Sequence, residues 1–157
     1  MEKIVFLDRD GTINEEVNYL HRTEDLKFLP GVPEALRLLK EAGFKLVVVT
    51  NQAGVARGYY TCADVEHLHA YMNEELKKYG AEIDAFYYCP HHPVHGIGIY
   101  KKVCQCRKPG TGMFLQAEER FRIDKAHSYM IGDKLLDVEA GCLLYTSPSP
   151  RDPKTSR

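Results

Sequence analysis

Ile4-Val5-Phe6-Leu7-Asp8-Arg9-Asp10-Gly11-Thr12 decides how the rest of the chain is read. Four apolar residues run into two carboxylates spaced i, i+2, then a glycine and a hydroxyl. The apolar run reads as a buried strand. Residues two apart on a strand point to the same side, so Asp8 and Asp10 leave its carboxyl end together. Open α/β sheets place their chemistry at that end. Two acids there can hold a hard cation and divide nucleophilic and acid–base duties. Taken alone, Asp-x-Asp also fits an ordinary polar junction between strand and turn.

Outward from this stretch, strand-like and helix-like segments alternate. Residues 11–30 are polar and turn-rich and read as a flap or small hairpin over the first strand's end. Residues 32–42 carry helical apolar spacing and stop at Gly43. The β-branched run at residues 45–50 (KLVVVT) is a second buried strand. A long helix follows at residues 62–79, closed by Gly80, then a strand at residues 85–89. Residues 89–111 show little periodicity. A helix at residues 112–121, a strand at residues 128–131 and a helix start at residues 134–141 complete the pattern. Such alternation predicts a parallel sheet with helices on both faces: an α/β, Rossmann-like three-layer core. The loops after the strands then collect on one edge, and every unusual residue cluster falls in them.

Composition narrows the function classes. The chain has 157 residues, the size of one domain, and a 44% hydrophobic fraction sufficient for a real core. Residues 142–157 (CLLYTSPSPRDPKTSR) differ: hydrophobic periodicity ends and three of the eight prolines cluster. Residues 142–152 resemble the translation of a sequencing adapter. The segment is expected to be a non-native tail, with residues 1–141 an incomplete, C-terminally truncated catalytic domain. Truncation there is expected to lower stability and activity. Without the tail, 18 basic residues face 21 acidic ones (21 less three, 22 less one), so there is no basic excess to attract nucleic acid. No membrane span or signal peptide is read, and a cytoplasmic monomer is expected. In that compartment cysteines serve as thiols or metal ligands rather than disulfides. Cys62 stands alone as a helix-start or core residue; Cys89, Cys104 and Cys106 remain.

Three further clusters lie at successive strand ends. Thr50-Asn51-Gln52 offers a hydroxyl and amides to phosphate oxygens. Arg107-Lys108 offers a fork and a point charge to a phosphoryl group. Gly132-Asp133-Lys134, with Asp137 beyond, places an acid where it could complete a cation site opposite Asp8. Each is weak alone; their order and placement agree. Together with Asp8-x-Asp10 they resemble the haloacid-dehalogenase-like phosphatases, a likeness running from residue 4 to about 141.

That resemblance implies Mg²⁺ held by Asp8, the Asp10 backbone carbonyl and Asp133. It implies Asp8 as the nucleophile, forming an aspartyl-phosphate, and Asp10 as the general acid and base. Thr50 and Lys108 would hold the transferring phosphoryl group, with Asn51 and Gln52 beside them. Residues 89–106 carry the second strong signal. Cys89, Cys104, Cys106 and a histidine make a closed Cys₃His site for structural Zn²⁺. The resemblance favours His91; spacing leaves His92 and His95 open.

Zinc-loop members of this family without a large cap domain are of two types, one acting on a heptose bisphosphate and one on histidinol phosphate. Residues 50–58 (TNQAGVARG) and the long loop from His91 to Cys104 resemble the heptose type. A small sugar phosphate losing its 7-phosphate is therefore the expected substrate, with histidinol phosphate the alternative. Arg107, Glu16, Tyr19 and Lys134 are expected to contact the sugar or its distal phosphate. The residues leave the anomer open, and with it whether the product feeds lipopolysaccharide or other glycoconjugates. A zinc-stabilised binding module without catalysis would call for a broken acid set, whereas this one is intact.

Overall fold

A computed structural model describes residues 1–94, 96, 98–102, 104, 107–108 and 111–132. Among the described residues, ten elements alternate along the chain. The strands are β1 (Ile4–Leu7), β2 (Lys45–Asn51), β3 (Ala85–Cys89) and β4 (Tyr129–Ile131). The helices are α1 (Val32–Glu41), α2 (Cys62–Lys77) and α3 (Gly112–Arg120), with short 3₁₀ turns between.

All strand pairs are parallel, in the order β3-β2-β1-β4. β1, β2 and β3 are laid down in one direction; the chain then crosses β1 to place β4 on its other side. The reversal puts a topological switch point at the carboxyl end of β1, where open α/β sheets leave a crevice. Asp8 is the first residue past that end, and its N–H donates to Ile131 O at 3.0 Å across the crevice's floor.

Strand alternation builds two cores. Val5, Leu7, Leu46 and Val48 meet Leu36 of α1 and Leu68, Met72 and Leu76 of α2. Ile4, Phe6, Val47 and Val49 meet Met113, Phe114 and Ala117 of α3. Burial on both faces explains why β1 and β2 are continuous apolar runs rather than alternating ones. The layers are thus helix, sheet, helix, as expected, and no large cap domain is present among the described residues.

Local chemistry sets the element ends. Thr61 caps α2 with a reciprocal capping box: Asp64 N–H donates to Thr61 Oγ1 at 3.1 Å, and Thr61 N–H to Asp64 Oδ2 at 2.9 Å. Gly11, at φ 80°, supplies the left-handed turn that carries the chain away from Asp10. The segment after it is a flap rather than a hairpin: isolated bridges at Asn14–Phe28 and Asp10–Asn14 hold it, with one 3₁₀ turn at Thr23–Asp25. The helix start expected at residues 134–141 and the tail at residues 142–157 lie outside the described residues.

Candidate active site

Asp8, Asp10, Glu16, Tyr19, Thr50, Asn51, Gln52, Arg107 and Lys108 line one pocket of about 280 Å³ at the switch point. Four sequence segments, the first beginning at Asp8 and the last ending at Lys108, are thus brought together in one pocket. Lys134, the expected Mg²⁺ ligand Asp133 and the expected zinc ligand Cys106 lie outside the described residues.

Asp8 is buried at 5% exposure, and Lys108 at 2%. Lys108 Nζ sits 3.2 Å from Asp8 Oδ1 and donates to Val49 O at 3.0 Å. The Arg9 N–H also donates to Asp8 Oδ1, at 2.8 Å. A cation and an amide on one carboxylate oxygen fix the Asp8 side chain in the pocket wall.

Asp10 is held differently. Arg9 Nε donates to Oδ1 at 3.0 Å and Arg9 Nη2 to Oδ2 at 3.1 Å, a two-pronged grip. Asn14 Nδ2 adds a bond to Oδ1 at 3.1 Å and Gln52 Nε2 one to Oδ2 at 3.3 Å. Gln52 Nε2 also donates to Thr50 Oγ1 at 3.0 Å, so the amide links the second strand's hydroxyl to the second acid.

The pocket mouth is aromatic. Tyr60 OH donates to Gln52 Oε1 at 2.7 Å, and burial pushes the Tyr60 phenol up to about 12. His21 stacks on the Tyr60 ring at 5.1 Å, and Tyr19 meets Tyr59 edge-on at 4.6 Å. Tyr19 adopts φ 55°, a conformation non-glycine residues rarely take, at the turn of the flap. Two ring pairs therefore join the flap to residues 53–60.

Asp8 and the Asp10 carbonyl are hard oxygen donors of the kind Mg²⁺ takes. Arg107 supplies a second indication of ligand chemistry: its Nη1 is buried and has no hydrogen-bond partner among the described residues, an arrangement that fits an anion. Beyond the pocket, Cys89, His91 and Cys104 offer Sγ and ring-nitrogen atoms within 4.8 Å of one another. Cys89 Sγ lies 3.3 Å from Cys104 Sγ and 3.7 Å from His91 Nδ1. His92 Nδ1 instead accepts the Val94 N–H at 3.1 Å, so its ring closes a local turn. Burial, then the nearby Lys102 charge, lowers the His91 pKa and favours the neutral, ligating ring. Soft sulfur and imidazole donors of this set suit Zn²⁺.

The structure adds residues that sequence spacing did not single out. Arg9 and His69 are buried, and Tyr60 lines the pocket. Arg9 carried a signal, a charge placed between two acids in an apolar run. His69 and Tyr60 carried none, since their role depends on packing across the sheet edge.

A parallel α/β/α sheet with paired carboxylates at its switch point, a buried lysine on the first and a cation-lined pocket defines a phosphoric monoester hydrolase of the haloacid-dehalogenase-like class. A family model described as polynucleotide kinase 3 phosphatase matches residues 3–138. The D-glycero-beta-D-manno-heptose-1,7-bisphosphate 7-phosphatase of Escherichia coli O6:H1 is 50% identical over 136 residues, 87% of this chain and 72% of that protein. The structure of a HAD-like phosphatase of Mesorhizobium loti aligns with a TM-score of 0.84 at 34% identity, over 90% of this chain and 68% of its own. That of D,D-heptose 1,7-bisphosphate phosphatase from B. bronchiseptica, complexed with magnesium and phosphate, aligns with a TM-score of 0.76 at 34% identity, over 88% and 74%. The chain belongs to the family of D-glycero-beta-D-manno-heptose-1,7-bisphosphate 7-phosphatases.

Proposed function

We propose that the protein removes the 7-phosphate of D-glycero-β-D-manno-heptose 1,7-bisphosphate through an aspartyl-phosphate on Asp8. The observation that carries this reading is the pocket itself. Asp8 and Asp10 share it with Lys108 and with Arg107, whose buried Nη1 has no hydrogen-bond partner among the described residues. A substrate with two phosphates needs one set of cations at the reacting group and another at the distal one. The names of the relatives favour the heptose bisphosphate and its β anomer.

Asp8 attacks phosphorus, and the P–O bond to the sugar breaks as the new Asp8 O–P bond forms. Asp10 gives its proton to the departing sugar oxygen, then takes one from the water that attacks the aspartyl-phosphate, releasing inorganic phosphate and restoring Asp8. Lys108 and Thr50 hold the phosphoryl oxygens, and the Lys108 charge offsets what develops on them. Asn51 and Gln52 hold Lys108 and Thr50 in place. Glu16 and Tyr19 face the sugar and Arg107 its second phosphate, and Lys134 is proposed as a further contact to the sugar or its distal phosphate. Mg²⁺, held by Asp8, the Asp10 carbonyl and Asp133, would neutralise phosphoryl charge and align the group for in-line displacement.

Zn²⁺ on Cys89, His91, Cys104 and Cys106 is structural in this reading and fixes the loop that delivers Arg107 and Lys108. Phosphate release should be measured with the α and β heptose bisphosphates and with histidinol phosphate, with and without Mg²⁺. A marked preference for the β heptose bisphosphate, lost on chelation, is expected. Preference for histidinol phosphate would keep the chemistry and replace the substrate.

A further inference from the structure

We infer that Arg9 is a positioning residue for the reaction: its guanidinium fork sets the carboxylate plane of Asp10 at the pocket. The inference rests on the reading of Asp10 as the proton donor to the leaving group.

Arg9 is wholly buried, at 0% exposure, and lies between the two acids in sequence. Strand alternation should turn it away from them. Instead its Nε and Nη2 close on both oxygens of Asp10, at 3.0 and 3.1 Å. The rest of the group is anchored on three sides. Nη2 also reaches Leu20 O at 3.1 Å and Gln52 Oε1 at 3.2 Å, and Nη1 reaches His69 Nε2 at 3.2 Å. Arginine can only donate, so His69 Nε2 is the accepting nitrogen and the ring is neutral. His69 is in turn fixed by stacking on Phe86 at 4.5 Å.

A fork on both oxygens fixes the tilt and rotation of a carboxylate; a point charge fixes neither. Stability alone does not call for this, because a buried ion pair is commonly replaceable by apolar packing without loss. Each Asp10 oxygen accepts one arm of the fork and one neutral amide. To carry a proton Asp10 must release one donor, and the Gln52 amide at 3.3 Å is the longest of the four. The fork can therefore stay closed while Asp10 works.

The test compares kcat/KM on two substrates, the heptose bisphosphate, whose leaving alkoxide needs a proton, and p-nitrophenyl phosphate, whose leaving group does not. Because general acid catalysis contributes about 10²–10⁴-fold, Arg9→Met should lower kcat/KM for the sugar by roughly 100-fold and for the aryl phosphate by under about 5-fold. Arg9→Lys keeps the charge without the fork and should show the same split. An equal loss on both substrates, or full rescue by lysine, overturns the inference. If Arg9→Met does not fold, His69→Phe keeps the stack on Phe86 but removes the anchor of Nη1. It should show a smaller split of the same sign, and no split overturns the inference equally. Asp10→Asn is measured in parallel. If it shows no split, the reading of Asp10 fails; if it does and the Arg9 and His69 variants do not, the inference about Arg9 alone fails.

Discussion

Asn51 and Lys108 grip each other in both directions: the Lys108 N–H donates to Asn51 Oδ1 at 2.9 Å, and Asn51 Nδ2 donates to Lys108 O at 3.2 Å. The last residue of β2 thereby fixes the backbone of a loop 57 residues further on. The Lys108 amine then reaches Asp8 at the end of β1. The cation and the proposed nucleophile are thus set by residues at the ends of two neighbouring strands.

Asn51→Ala should therefore act on catalysis more than its distance from the reacting atoms implies. Freeing Lys108 is expected to lower kcat/KM by about 10–100-fold, the scale of small misplacements of catalytic groups. Loss of two partly buried hydrogen bonds should cost about 1–3 kcal/mol in unfolding free energy. Asn51→Asp should not rescue, because a carboxylate cannot donate to Lys108 O. Steady-state kinetics and denaturant unfolding check both parts; unchanged kinetics would mean Lys108 is held by other groups.

Asp8→Asn removes the attacking oxyanion while keeping size and shape. Turnover is expected to vanish, with the folded structure and bound zinc intact, as read by circular dichroism and metal analysis. Retained turnover would remove Asp8 from the nucleophile's role.

Most of this framework was legible in the sequence, and the reasons for the gaps are physical. β1 and β2 are apolar on both faces, so their runs stand out, and the clusters after each strand follow from parallel topology. The strand order was not legible, because no local signal says on which side of β1 the last strand pairs. β2 runs one residue further than its apolar run because Asn51 pairs with Cys89. Helix α2 ends at Lys77, two residues early, where a turn leads into Gly80 at φ 70°. Arg9, His69 and Tyr60 were missed because each gains its role from partners 11 to 60 positions away or from a loop's packing.

His69 makes stability sensitive to acid. Burial first, then the Arg9 charge, lowers its pKa from 6.5 to about 3. The unfolded chain thus binds one more proton than the folded one between those values. Stability from this site is complete above about 6.5 and falls as pH drops toward about 3. At pH 5 the loss is about 2 kcal/mol. His69→Gln keeps an acceptor for Arg9 and does not titrate, so its unfolding free energy should fall less between pH 7 and pH 5. Parallel pH dependences for both proteins would exclude His69 as the source.

Gly54 marks the closest approach of loop and pocket wall. A methyl group there would overlap the Tyr60 ring. Gly54→Ala should displace Tyr60 and break its bond to Gln52 Oε1. Because Tyr60 lines the pocket and bonds Gln52, KM should rise more than kcat falls, by about 5–20-fold for a lost hydrogen bond and a shifted wall. A variant with unchanged KM would show that the ring is not part of the binding surface.

The cysteine cluster and the active site are joined through one residue. Cys89 ends β3, its carbonyl accepts the Gln52 N–H at 2.7 Å, and its sulfur faces Cys104 and His91. In the proposed reading, Zn²⁺ on this cluster joins the end of β3 to the segment that leads to Lys108. Cys89→Ser should lower zinc content and the melting temperature together. It should also weaken substrate binding, since Arg107 and Lys108 lie three and four residues beyond Cys104. Chelation of the unmodified protein should reproduce these effects, and added Zn²⁺ should reverse them. If zinc is lost but KM for the bisphosphate stays the same, the loop is held by its packing against β3 rather than by the metal.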